Sequence, residues 1–85
     1  MTNHVRVYLS HFGYDGFSFM PCEVCGGQAN DIHHIIYRSK FGKNRKDEQD
    51  HIANLMALCR ICHDKAHNEI LSKDYLKEVH ENFML

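Results

Sequence analysis

Four cysteines and eight histidines are the residues of this 85-residue chain best suited to chemistry, and their spacing sorts them into sets. Cys22 and Cys25 lie in PCEVCGG; Cys59 and Cys62 lie in LCRIC. Each C-x-x-C pair makes a tight turn that aims both thiolates at one point, and two such pairs complete a tetrahedral zinc shell. Gly26 and Gly27 free the backbone to turn after the second thiol. The bland alternatives are disulfides or buried free thiols. A redox role for C-x-x-C is weaker still, because two symmetric pairs suit zinc better than electron exchange.

With the cysteines assigned to one structural Zn²⁺, the histidines of CRICHDKAH need another role. A Cys2His2 finger wants about twelve residues between its cysteine pair and first histidine. Here the matching place after Cys25 holds Arg38, and His63 adjoins Cys62 directly. Neighbours on a helix diverge by roughly 100°, so His63 need not point where Cys62 points. His63 and His67, four apart, share a helix face and can hold one ion together. The nearest source of a third ligand is DIHHII, with His33 and His34. Adjacent strand residues normally face opposite ways, but at an irregular strand end both can approach one locus. One would then ligate the ion while its neighbour stays free as a base. A lone histidine pair is more often surface or core filler; the combination gives this one its weight.

The elements that must position these residues are short. Val5, Tyr8, Leu9 and Phe12 have helical spacing up to Gly13, although Val5, Val7 and Leu9 also alternate like a strand. DIHHII reads as one strand, LMALC as a second, and CRICHDKAHNEI as a helix. The stretch from Tyr37 to Asp50 is polar and without period, a loop. SKDYLKEVHENFM reads as a closing helix, with Ser72 as N-cap and Leu76, Val79 and Phe83 on one face. The fold class is α+β, one domain over residues 1–85 with its core motif at 21–67 and flanking segments at about 4–12 and 72–83. Phe83, Met84 and Leu85 are expected to pack on that domain. His4, His11, His51 and His80 have no spacing partner and receive no function.

Composition sets the outer limits. So short a chain builds a marginal core, and domains of this size commonly rely on a staple. The net charge is −1, so the chain as a whole is not a strongly basic nucleic-acid binder. No stretch has the apolar length of a membrane span, and MTNHVRVYLSHF is not of signal-peptide type. These features point to a cytoplasmic protein, where paired cysteines more often hold metal than form bridges.

The order C-x-x-C, DIHHII, NLMALC, C-x-x-C-H-x-x-x-H resembles that of HNH endonucleases, which have the ββα-metal (His-Me finger) fold. The resemblance covers about Pro21 to His67. It implies a ligand for the catalytic ion at His33, a general base at His34, and an orienting residue at Asn54. It also implies further ion ligands at His63 and His67, and a zinc knuckle on the four cysteines. Two features depart from the pattern. Tyr37 stands near the place of a frequent proline, and the usual Gly-Gly of the connecting loop is reduced to Gly42. Compact members often look phage-related or mobile-element-related, which is association only.

Phosphodiester hydrolysis needs a nucleophile, its orientation and relief of negative charge. An imidazole with the ordinary pKa of about 6.5 can take a proton from water, provided a fixed acceptor holds its other nitrogen. Asn54 or a backbone carbonyl would serve as that acceptor. Three neutral imidazoles favour Mn²⁺, Ni²⁺, Co²⁺ or Zn²⁺ over Mg²⁺ as the single catalytic divalent ion. The resemblance implies 5′-phosphate and 3′-hydroxyl products. DNA is the expected partner, with Arg38, Lys40, Lys43, Arg45 and Lys46 reaching phosphates from the loop. The rival reading of those charges is a solvated loop balanced by the DEQD that follows. The rival reading of the whole chain is a non-catalytic, zinc-stabilised module that binds DNA or protein. The joint presence of His33, His34, Asn54, His63 and His67 favours the enzyme.

Overall fold

DIHH and LMAL pair as the two strands of an antiparallel sheet, β1 (Asp31–His34) and β2 (Leu55–Leu58). The register sets Asp31 against Leu58, Ile32 against Ala57, His33 against Met56 and His34 against Leu55. The computed structural model describes residues 2–37, 40 and 45–85. β2 is buried along its whole length, as an unbroken apolar run requires. Strand alternation sends Met56 and Leu58 to one face and Leu55 and Ala57 to the other. On the first face they join Cys22, Ile35, Cys62, Ala66 and Leu76; on the second, Tyr8, Ala29 and Ile32. Residues opposed across a ladder share a face. His33 therefore looks the way Met56 does, and His34 the way Leu55 does.

The helices cover these two faces. α1 (Asn3–Phe12) settles the helix-or-strand ambiguity in favour of the helix, burying Tyr8 and Leu9. It stops at Gly13, whose φ of 74° is left-handed, and Tyr14 N–H closes on the Leu9 carbonyl at 2.9 Å. On the other face, α3 (Arg60–His67) contributes Cys62 and Ala66 and α4 (Lys73–Phe83) contributes Leu76. Ser72 caps α4 as its sequence suggests, its side chain accepting from Tyr75 N–H at 3.1 Å.

Three details differ from the sequence reading. The segment before Asp50 is not wholly loop, since α2 (Lys46–Gln49) forms one helical turn, with Asp47 and Glu48 suited to a helix start. A 3₁₀ turn, Ile52–Asn54, then leads into β2. α3 ends before the expected Asn-Glu-Ile, because Glu69 takes a left-handed φ of 59°. Ile70 and Leu71 N–H then fold back on the Lys65 carbonyl at 2.9 and 3.2 Å. Of the C-terminal tail, Phe83 packs edge-on against Phe12, with centroids 5.4 Å apart, whereas Met84 and Leu85 stay exposed. No helix among the described residues is long and apolar enough to cross a membrane.

Candidate active site and metal centres

The four cysteine sulfurs converge from two turns. Gly26, at φ 80°, lets the chain reverse after Cys25 and return its N–H to the Cys22 carbonyl at 2.9 Å. Cys59 is the N-cap of α3, its sulfur accepting from Cys62 N–H at 3.4 Å. All four sulfurs lie within 4.8 Å of one another, and none is in a disulfide. The Cys25 and Cys59 sulfurs are 3.7 Å apart. Ligands at the usual Zn–S distance and tetrahedral angle would be about 3.8 Å apart, so the four could hold a structural zinc. Burial opposes ionisation of Cys22, but backbone N–H groups at Cys25, Cys59 and Val24 outweigh it and bring the thiol down to about 7. Burial and the neighbouring thiols push Cys62 up instead. A bound zinc would override that and deprotonate its thiols outright.

A second convergence lies on the Met56 face of the sheet. His33 meets the two histidines of α3 there, with ring centroids 5.1 Å from His63 and 5.5 Å from His67. One ring nitrogen from each lies within 4.8 Å of the other two. His63 Nε2 and His67 Nε2 are 3.1 Å apart, close to the roughly 3.3 Å that two imidazoles on one tetrahedral ion would show. The other nitrogen of His63, Nδ1, donates to Asp31 Oδ2 at 3.0 Å. A carboxylate can only accept, so this bond fixes the tautomer and leaves Nε2 bare for an ion. Asp31 is itself held by Arg60 Nε at 3.1 Å. The sequence reading missed it, although it opens DIHHII and pairs with Leu58, two residues before α3 begins. Burial, followed by the nearby His63, His67 and His34, lowers His33 to about 4. It is therefore neutral at pH 7, as a ligand must be.

His34 faces the other way. Its Nε2 lies 2.8 Å from Asp50 Oδ1, and Asp50 Oδ2 accepts from Asn3 Nδ2 at 2.9 Å. Burial raises the Asp50 carboxyl, but the bonds from Asn3 and His34 more than offset it and hold the group below its ordinary range. The proton of the His34–Asp50 bond accordingly sits on Nε2, leaving Nδ1 with its lone pair. The sequence reading gave this orienting place to Asn54. The structure puts Asn54 elsewhere: its Oδ1 accepts from Ile36 N–H at 2.8 Å, and its Nδ2 donates to the Gln49 and Ile36 carbonyls at 2.8 and 3.2 Å. Asn54 pins the two ends of the connecting loop, and Asp50 holds the imidazole.

Though they face opposite sides of the sheet, His33 and His34 border one cavity of about 420 Å³, lined also by His4, Tyr37, His63 and His67. The strand ends at His34, so both rings reach the same opening. Tyr37 stacks on His67 at 6.4 Å, with Lys73 Nζ 4.3 Å above the tyrosine ring. Of the five basic loop residues, Lys40 is exposed, and Arg45 Nε donates to Glu48 Oε2 at 2.6 Å. Arg38, Lys43 and the side chain of Lys46 lie outside the described residues, as does Gly42.

A hairpin whose second strand runs into a helix carrying two histidines that meet His33 of the first strand, with two cysteine pairs brought together beside it, defines a small ββα domain. The family model for HNH endonuclease matches residues 22–69, more than half of the chain, and the chain belongs to that family. No curated protein and no solved structure matches it. Nuclease or nucleic-acid-binding function is the class this family carries.

Proposed function

We propose that residues 1–85 act as a single metal-dependent endonuclease domain that hydrolyses DNA phosphodiester bonds. The observation that carries this reading is the shared cavity, where a three-histidine ion set and a carboxylate-held imidazole meet at one opening. His34 Nδ1 takes a proton from the attacking water, and Asp50 keeps the ring in the tautomer that leaves Nδ1 free. His33, His63 and His67 hold the divalent ion, with Asp31 fixing His63. Bound there, the ion supplies charge relief at the phosphate and at the departing 3′ oxygen. Asn54 acts one step back, by holding the loop that ends in Asp50. Arg38, Lys40, Lys43, Arg45 and Lys46 contact backbone phosphates. The exposed Arg45–Glu48 pair is no obstacle, being worth at most about 1 kcal/mol.

The test is plasmid cleavage across divalent metals, wild type against His34→Ala. We expect wild type to cut and the variant to lose about 10²–10⁴-fold in rate while keeping its fold and the ions of the cysteine and three-histidine sets. Equal cleavage by the two would remove the base from His34. DNA binding without cleavage in any metal would favour the non-catalytic module.

A further inference from the structure

We propose that His4, His34 and Asp50 form a second transition-metal site, weaker than the three-histidine set, whose occupation takes His34 out of use as a base. Each residue offers one ligand atom, and the three atoms lie within 4.8 Å of one another. They come from three separate places in the chain: the start of α1, the end of β1 and the turn after α2. The His4 and His34 rings sit 4.5 Å apart, tilted by 45°. Asp50 is only 8% exposed, and Asn3 fixes its second oxygen, so the first is committed to the histidine side. That fixed carboxylate gives the site an outer partner of the kind that orients metal ligands. Entry is open, since His4 and His34 line the cavity shared with the other histidines.

Two imidazoles and one carboxylate with open positions suit Zn²⁺, Co²⁺ or Ni²⁺. The carboxylate offsets part of the ion's charge, which the three-histidine set cannot do. The relative weakness has a geometric cause. His34 Nε2 and Asp50 Oδ1, now 2.8 Å apart around a shared proton, must lose that proton and open to about 3.3 Å to bind one tetrahedral ion. The ion fills the place of that proton, which passes to Nδ1 because a neutral imidazole ligated through Nε2 carries its proton there, so Nδ1 no longer has the lone pair that would take a proton from water. The loss of base function rests on the nuclease reading above; the existence of the site does not.

The experiment counts zinc by equilibrium dialysis over rising free zinc and follows cleavage in parallel. Wild type should hold about three zinc ions per chain: the cysteine ion, the three-histidine ion and this one. His4→Phe keeps a ring against His34 but offers no ligand, and should hold about two. His67→Ala should also hold about two, and the double variant about one. Rising zinc should depress wild-type cleavage several-fold while leaving His4→Phe active. If circular dichroism shows His4→Phe unfolded, His4→Gln takes its place. Equal zinc counts for wild type and the folded His4 variant overturn the site. A count that falls by one with no cleavage by either protein would uphold the site and reject the nuclease reading. A fall by one with equal zinc inhibition in both would overturn the link to His34.

Discussion

An oxygen that can only accept decides where the proton of His34 sits, and here that oxygen belongs to Asp50. Asp50→Ala frees the ring to rotate and to exchange tautomers. Its single-turnover cleavage should fall by at least about 10-fold, with the 10²–10⁴ of a general base as the ceiling. DNA affinity and ion binding by His33, His63 and His67 should not change, and Asp50→Asn, which keeps an acceptor oxygen, should recover part of the rate. Wild-type cleavage by Asp50→Ala would mean that some other group orients the base. Asn54→Ala should register differently. It strands the buried Gln49 carbonyl, at about 1–3 kcal/mol, and the part-buried Ile36 N–H, and so should lower Tm. The two residues were not equally legible. Asn54 stands at a fixed place, opening the apolar run of β2. Asp50 lies among the acids of DEQD, and only the path of the loop singles it out.

At the scale of elements, a period of two explains much of the site. Alternation along β1 sends His33 to α3 and His34 to α1, which the spacing of DIHHII forecasts once β1 is a strand. The same kind of reading applied to α4 finds Leu76 and His80 four apart on one face. His80 is only 1% exposed. Its Nδ1 meets Glu23 Oε1 at 2.6 Å and its Nε2 meets the Ile52 carbonyl at 2.7 Å. Both nitrogens face acceptors, and although burial opposes the charge, Glu23 and the Ile52 carbonyl raise the pKa of His80. Glu23 also accepts from Tyr8 Oη at 2.6 Å and Ala57 N–H at 3.0 Å, so one carboxylate ties the knuckle to α1, β2 and α4. Nothing in C-E-V-C marks that acid as buried, because its partners are distant in sequence. Glu23→Ala leaves the imidazolium alone in the core and should cost about 3–5 kcal/mol by thermal or denaturant unfolding. The pH dependence has a definite sign. Above about pH 6.5 the folded chain keeps a proton on His80 that the unfolded chain releases. The stabilisation is therefore complete below that pH and is lost as pH rises through the raised folded value. The difference in Tm between wild type and Glu23→Gln should shrink over that window, and a difference that grew with pH would contradict the ion pair.

Across the whole molecule, a two-stranded sheet separates two small clusters of buried side chains, and neither is large. A chain of this length has little margin without a staple. The cysteine site is built into one of those clusters, since Cys22 and Cys62 are core residues and Cys59 starts α3. Metal there would hold the knuckle loop to the helix that carries His63 and His67, so the fold and the proposed ion set would depend on the same four sulfurs. Zinc in small domains contributes roughly 10–16 kcal/mol apparent, more than such a core supplies alone. Cys25 gives the clean test, because it is exposed and its replacement by serine buries no polar group. Any large effect of Cys25→Ser therefore reports on the metal and not on packing. The variant should lose its tightly held zinc, lose helical signal by circular dichroism as α3 loosens, and bind the catalytic ion poorly even though His33, His63 and His67 are intact. Strong chelation of the wild type should reproduce all three changes, and zinc added back should reverse them. A Cys25→Ser protein that kept its zinc and its Tm, or a well-folded quadruple serine variant without metal, would show that the four thiols hold this molecule together in some other way.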